Sequence, residues 1–384
     1  MATAPPGRDR SVRPPRMRAL FLASAVYGLE GGLERFNRRL VRALAELRDE
    51  GLLESVLAIS MSDTPADEAA APRDVRLFGG RGSKVRTALW FIWLTFSRRP
   101  RVIFYGYVGF APLAIVARIL NPGAVHLLIV HGVEVWRHPP PIRRWATRHC
   151  LDAILSVSAF TIDKMSGFFG LRAAMFRVFP NCLDVNGVAP EGEAIGSSPR
   201  LQGGHRLVSV TRLSLVDRYK NVDKVILALP RVLDAFPDTH YYIVGEGPWR
   251  PDLERLSAST GISERVHFLG RVDDATRDAA YAGADVFVLP STGEGFGIVF
   301  LEAWKFALPC IASNRDAASE VIRDGVDGYC VEPQPRMIAD AICSLLAEPE
   351  KRKAMGAAGR ERLKTKYSHD RFRENLGRIL EEFV

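Results

Sequence analysis

Ser291-Thr-Gly-Glu-Gly-Phe-Gly-Ile-Val-Phe-Leu-Glu302 is a glycine-rich turn that runs into an apolar segment and carries carboxylates at Glu294 and Glu302. Just before it, Asp285-Val-Phe-Val-Leu-Pro290 is β-branched and apolar and stops at a proline, the pattern of a strand buried in a parallel sheet. Ile298 to Phe306 reads as a helix. A strand, a turn with Gly293, Gly295 and Gly297, and then a helix leave free backbone N–H groups and a positive dipole end aimed at one spot. An anion fits there. Glycine also lets a ligand approach the backbone closely, or takes φ > 0, at little cost. The order strand, turn, helix marks an α/β fold.

The two acids have two readings. Near a helix N-terminus a glutamate is ordinary capping chemistry. Alternatively, glycines cradle a phosphate while an acid accepts from sugar hydroxyls. A dinucleotide fingerprint fits poorly, because Gly293-x-Gly295 is followed by Ile298 where the third glycine belongs. The nucleoside triphosphate loop fits no better, since the chain has no Gly-Lys-Ser or Gly-Lys-Thr triplet.

Glu294-Gly-Phe-Gly-Ile-Val-Phe-Leu-Glu302, two glutamates separated by seven residues, resembles the signature of the retaining, nucleotide-sugar-dependent glycosyltransferases of family 4. The resemblance covers residues 17 to 384. It implies two Rossmann-like domains facing each other across a cleft (GT-B), with a C-terminal helix crossing back to the N-domain. The expected division is a disordered extension at 1–16 and an acceptor-binding N-terminal domain at 17–185. A linker at 186–204 then leads to a nucleotide-sugar-binding domain at 205–367, and a terminal helix at 368–384 packs on the N-domain.

Composition agrees with two ordinary domains: 384 residues, 47% hydrophobic and 25% charged. The formal net charge of +8 suggests an anionic partner: a nucleotide diphosphate, an acidic lipid or a nucleic acid. Cys150, Cys182, Cys310, Cys330 and Cys343 show no close pairing or metal spacing, so reduced thiols in a cytosolic setting are expected. No apolar run reaches the roughly 18 to 20 residues of a spanning helix. Ala19 to Val26, after an Arg-rich leader, imitates a signal peptide, but the glycines and amphipathic helix that follow suit a first βα unit better.

Along the chain, Arg18 to Ala25 reads as the first strand, and Leu33 to Leu47 as a helix with Leu33, Phe36, Leu40, Leu44 and Leu47 on one face. The loop between them, Gly28-Leu-Glu-Gly31-Gly32, is either a tight turn or a phosphate contact. By resemblance Gly31 and Gly32 approach the diphosphate or the acceptor. No acidic residue occurs between Val75 and Val133, while Arg81, Lys84, Arg86, Arg98, Arg99 and Arg101 flank Leu89-Trp-Phe-Ile-Trp-Leu-Thr-Phe96. That stretch is either a core helix or a helix lying in an anionic membrane interface through 81–101. Its aromatics interleave with apolar residues, which argues against nucleic-acid binding.

His131 ends an apolar strand, where α/β ligand clefts form, and the family carries such a His-Gly next to the donor sugar. Phe179-Pro-Asn-Cys-Leu-Asp184 resembles a family turn in which glycine stands where this chain has Cys182. Arg212 follows the strand Leu207 to Thr211, and Lys220 precedes a helix over Asn221 to Phe236; together they suit a diphosphate leaving group. The family spacing is often shorter, so Arg218 competes with Lys220 for that role, and Asn221 stands where glycine is usual. The turn at Gly245 and Gly247 is expected near the nucleotide, and Arg271 and Val272 resemble the segment whose backbone reads the base.

By resemblance, Glu294 binds sugar hydroxyls and Glu302 ribose hydroxyls, with Gly295, Phe296, Gly297 and Ile298 lining the donor. Charge developing on the diphosphate meets preorganised cations and N–H dipoles. The donor would be a UDP-, GDP- or ADP-sugar. The acceptor would be a glycan or lipid-linked glycan in polysaccharide, lipopolysaccharide or glycolipid assembly, on the inner face of the cytoplasmic membrane. With no Asp-x-Asp in the chain, no metal is expected. The rival readings are a sugar-nucleotide epimerase or phosphorylase of the same fold, and a non-catalytic membrane-surface binding protein.

Overall fold

The computed structural model describes residues 17–185 and 201–383. The extension expected at 1–16 and most of the expected linker lie outside the described residues.

Strands β1 (Met17–Ala23), β2 (Leu53–Ser60), β3 (Val75–Gly79), β4 (Val102–Tyr105), β5 (Val125–Val130), β6 (Ala153–Ser156) and β7 (Phe176–Val178) form one sheet in the order β3-β2-β1-β4-β5-β6-β7. The helices along this part of the chain are α1 (Gly32–Asp49), α2 (Pro65–Glu68), α3 (Lys84–Arg98), α4 (Leu113–Leu120), α5 (Pro141–His149) and α6 (Ala159–Phe169). A second sheet, β10-β9-β8-β11-β12-β13, contains β8 (His205–Val210), β9 (Thr239–Val244), β10 (Val266–Gly270), β11 (Val286–Leu289), β12 (Cys310–Ser313) and β13 (Gly328–Val331). Its neighbours are all parallel. With it go α7 (Val222–Ala235), α8 (Arg250–Ser259), α9 (Asp274–Gly283), α10 (Ile298–Lys305), α11 (Ala318–Val321), α12 (Pro335–Ala347) and α13 (Pro349–Lys366), and the chain ends in α14 (His369–Glu381). Both sheets are Rossmann-like, as the family resemblance implied.

The first strand ends at Ala23, two residues before its expected limit, because the Val26, Tyr27 and Gly28 N–H groups turn away to donate to the buried Asp63 carboxylate at 3.0–3.2 Å. In α1, Phe36, Leu40, Leu44 and Leu47 are buried, as their spacing required, and Asn37 joins them by donating to the Ala25 carbonyl at 2.8 Å. The β11 strand is buried at every position, which explains its lack of polar alternation.

Packing divides the described residues into two compact units, one within Met1–Ile129, Pro140–Leu155 and Arg373–Val384, the other within Val130–Pro139 and Ser156–Phe372. Val130–Pro139 groups with the second sheet because the His131 backbone lies directly against Gly295. The start of α6 does so because Glu320 accepts the Ala159 and Phe160 N–H groups. The last helix begins in the second unit and from Arg373 onward belongs to the first, where Arg373 pairs with Glu50 at 3.1 Å and Gly377 lies beside Leu47. Cys182, in the turn where glycine is usual, has no positive φ, so its Cβ costs nothing there.

Candidate functional site

In the second sheet β8 and β11 are neighbours, yet the chain leaves them for opposite edges, β9 on one side and β12 on the other. Loops that diverge in this way open a crevice at the carboxyl ends of the strands. Arg212 follows β8 there, and the Glu294 turn follows β11.

Gly297 caps α10 with φ of 85°, and no side chain caps that end, so the first N–H groups of the helix stay available to an anion. At Gly295 an added Cβ would lie 1.8 Å from the His131 carbonyl oxygen, so only glycine fits. The Ser158 hydroxyl donates to the Gly295 carbonyl at 2.7 Å. His131 is therefore brought to the Glu294 turn by its backbone. Phe296 is buried with its ring 5.6 Å from Tyr367, which leaves its backbone as the part that can face a ligand, and Ile298 is half-buried.

Lys220 donates to Glu294 Oε1, and the two side chains are 14% and 12% exposed. Burial alone would lower the Lys220 pKa, but the Glu294 carboxylate overrides it, and the ammonium is held above its ordinary value. Arg218 goes elsewhere, pairing with Asp252 at 2.8 Å over the Trp249 ring. The 3-10 turn Leu215–Lys220 makes that difference by pointing the two cations apart. Asn221 takes the left-handed conformation its position demands, φ 56°, and donates its side-chain amide to the Pro290 carbonyl at 2.7 Å.

Arg212 is 80% exposed and pairs at 3.4 Å with the buried Asp217. Gly245 and Gly247 pack on the Thr211 and Leu213 carbonyls, where a Cβ would lie 1.7 and 2.3 Å from the oxygens. Their requirement is thus met within the chain, and they hold the Arg212 loop in place. Gly245 N–H donates to the Gly270 carbonyl at 2.9 Å, which ties the end of β10, with exposed Arg271 and half-buried Val272, to the same turn. Glu302 is buried and accepts from the Tyr281 hydroxyl at 3.0 Å; burial first, then Glu302, push the Tyr281 pKa well up, so it stays a donor.

Gly31 and Gly32 belong to the first unit, at the N-terminus of α1. Gly31 is extended, with φ of 176°, and a Cβ on Gly32 would meet nothing within 4 Å. Among the described residues no group of three or more His, Cys, Asp or Glu is arranged to hold a metal ion.

Sequence reasoning missed Asp63, Asp217, Tyr281, Glu320 and above all Asp316, whose Oδ2 accepts the Glu294 N–H at 2.8 Å. Asp316 follows a buried strand just as Glu294 does, and the position after the β12 run was the available signal.

Two family models match: Glycosyltransferase Family 4 over residues 30–186 and Glycosyl transferases group 1 over 197–362. A GDP-mannose-dependent alpha-(1-6)-phosphatidylinositol monomannoside mannosyltransferase of Mycolicibacterium smegmatis is 33% identical over 264 residues, 65% of this chain and 69% of that protein. The chain belongs to glycosyltransferase family 4. A further relative is the GDP-mannose-dependent monoacylated alpha-(1-6)-phosphatidylinositol monomannoside mannosyltransferase of Corynebacterium glutamicum, 31% identical over 71% of this chain and 74% of that protein. The crystal structure of Anabaena HepE in complex with UDP shares the fold, with a TM-score of 0.76 at 18% identity, covering 95% of this chain and 100% of that one. As a family 4 glycosyltransferase, the chain uses a nucleotide-sugar donor.

Proposed function

We propose that the chain transfers mannose from GDP-mannose, with retention of anomeric configuration, to a phosphoinositide-based glycolipid at an anionic membrane surface. The observation that carries the reading is the half-buried Lys220–Glu294 pair beside the uncapped N-terminus of α10. The mannosyltransferase relatives support the donor and the acceptor class.

In this reading the donor diphosphate sits against Arg212, Lys220 and the free N–H groups after Gly297. The Lys220 ammonium moves from Glu294 to the phosphate oxygens, and Glu294 is released to accept from sugar hydroxyls. Charge building up on the departing diphosphate is then met by groups already in place, which lowers the barrier. His131 adds a hydrogen bond to the sugar, and Glu302, steadied by Tyr281, accepts from the ribose. The Arg271–Val272 backbone reads the base. Attack from the face of the departing diphosphate preserves the configuration.

The membrane reading rests on α3, where Phe91 and Leu94 are buried but Val85, Leu89, Trp93 and Phe96 are between 46% and 70% exposed. Exposed Arg81, Lys84, Arg86, Arg98, Arg99 and Arg101 surround them. Apolar side chains ringed by cations suit a headgroup layer rich in phosphate. No helix among the described residues is long and apolar enough to cross a membrane.

The test is incubation of purified protein with labelled GDP-mannose, UDP-glucose and ADP-glucose, together with vesicles containing mannosylated phosphatidylinositol. Label is expected in the lipid phase from GDP-mannose alone, as an α-linked mannoside. Lipid labelling from another donor would overturn the donor assignment. Free sugar isomer or sugar phosphate would favour an epimerase or phosphorylase, and vesicle binding without any turnover would favour a non-catalytic binding protein.

A further inference from the structure

Behind Glu294 lies a second carboxylate that the reaction outlined above leaves unused. Asp316 follows β12 and is fully buried. Its Oδ2 accepts the Glu294 backbone N–H at 2.8 Å, and its Oδ1 accepts the Ala318 N–H at 3.0 Å. The Ala317 N–H completes the arrangement by donating to the Glu294 carbonyl at 3.2 Å. One short turn therefore grips the Glu294 peptide from both sides.

Accepting the Ala318 N–H needs only one oxygen, and serine or asparagine supplies it as well as aspartate does. Reaching Glu294 at the same time takes the second oxygen of a carboxylate. That choice is costly, since it buries one carboxylate beside another. The groups facing Asp316 are Glu294 from the turn after β11, Lys220 from the 3-10 turn, and the Cys330 thiol from β13. Burial first, then Glu294, push its pKa up to about 7, so a small change in surroundings moves its proton.

We infer that Asp316 is a positioning residue for Glu294: ionised, it accepts at both oxygens and fixes the Glu294 peptide, whereas protonated it gives up one of the two N–H bonds and loosens it. The inference rests on the reading of Glu294 as the ligand of the transferred sugar. It adds a proton-sensitive support behind that ligand. Near neutral pH the support changes state.

The test pairs a measurement that needs no substrate with one that does. Hydrogen exchange of the 291–297 segment at pH 8 is compared between the wild type and Asp316→Asn, with thermal unfolding as a check on folding. Exchange in the variant is expected to be faster by about tenfold, the effect of one lost hydrogen bond. In the wild type, transfer should fall as the pH drops through about 7. In Asp316→Asn that acid limb should vanish and kcat at pH 8 should fall by about tenfold, with the KM for donor little changed. If Asp316→Asn does not fold, Asp316→Ser keeps the bond to the Ala318 N–H without the reach to Glu294. Unchanged protection of 291–297 together with a retained acid limb would overturn the inference. Wild-type protein that transfers nothing, while the variant still loses protection, would sink the proposed function and leave the Asp316–Glu294 link standing.

Discussion

Lys220 and Glu294 pair in a half-buried setting, and this decides how their variants behave. Removing one partner of a largely desolvated pair strands a charge and costs about 3 kcal/mol, whereas removing both is far milder. Glu294→Ala is therefore expected to lose transfer and also to lower the melting temperature by roughly 5–10 °C. In Glu294→Ala/Lys220→Met most of that loss should return while transfer stays absent. Differential scanning calorimetry beside the transfer assay checks this, and additive losses in the double variant would show that the pair is not coupled. Gly295→Ala is a purely steric case, because its Cβ would stand 1.8 Å from the His131 carbonyl oxygen. The turn must shift, and the expected result is a folded protein whose melting temperature no longer responds to nucleotide. Glu294 and Gly295 are legible in the sequence because both sit in a run that local rules describe. Asp316 is not, because its meaning comes from a backbone N–H 22 residues away.

At the scale of elements, α3 is core on one side and stays apolar on the other. Its inner side, Thr87, Phe91, Leu94 and Thr95, is core, and its outer side remains apolar and aromatic. Periodicity alone cannot separate these, since an apolar outer face looks like a second core face until its neighbours are known. The expected outcome is co-sedimentation with anionic vesicles that weakens between 50 and 300 mM salt, on the order of the Debye screening range. Trp93→Glu/Phe96→Glu should abolish vesicle binding while nucleotide-induced stabilisation persists. Binding that survives both substitutions would place the membrane contact on another surface. The 3-10 turn Leu215–Lys220 is the opposite case. Its sequence offered two cations for one role, and only its path, with Arg218 turned to Asp252, separated them.

For the whole molecule, two buried groups give the units opposite responses to acid. His126, in the first unit, accepts or shares a hydrogen with the Tyr105 hydroxyl at 2.8 Å, and burial, then Arg118, pull its pKa down to about 4 from 6.5. Its contribution to stability is fully present above about pH 6.5 and is lost as the pH falls through 4, up to about 3 kcal/mol. Asp316, in the second unit, has a raised pKa, so its contribution is present below its ordinary 3.8 and is lost as the pH rises through about 7. Lowering the pH from 7.5 to 5 is expected to destabilise the first unit and to steady the second. Hydrogen exchange of β5 and of β8, followed across that range, reads the two directions separately, while the 291–297 segment loosens locally as Asp316 takes up its proton; parallel changes in β5 and β8 would contradict the assignment. At the same scale, nucleotide at about 100 times its dissociation constant should add roughly 2.7 kcal/mol. GDP is expected to give the largest shift, and Arg212→Ala to reduce it.

By itself the sequence determined the strand, turn, helix order, the buried β11 strand and the glycine turn, and its Glu294 to Glu302 motif carried the resemblance from which the two Rossmann-like domains followed. Those features are written in short-range patterns, apolar runs and glycine spacing, which depend on a residue's neighbours in the chain. Only the tertiary structure decided that Lys220 and not Arg218 meets Glu294, that Gly245 and Gly247 are held by the β8 loop, and that Asp316 supports the Glu294 peptide. Each of those depends on where separate strands end side by side at a switch point, and a carboxylate or an ammonium acquires its role from the groups that burial forces it to face.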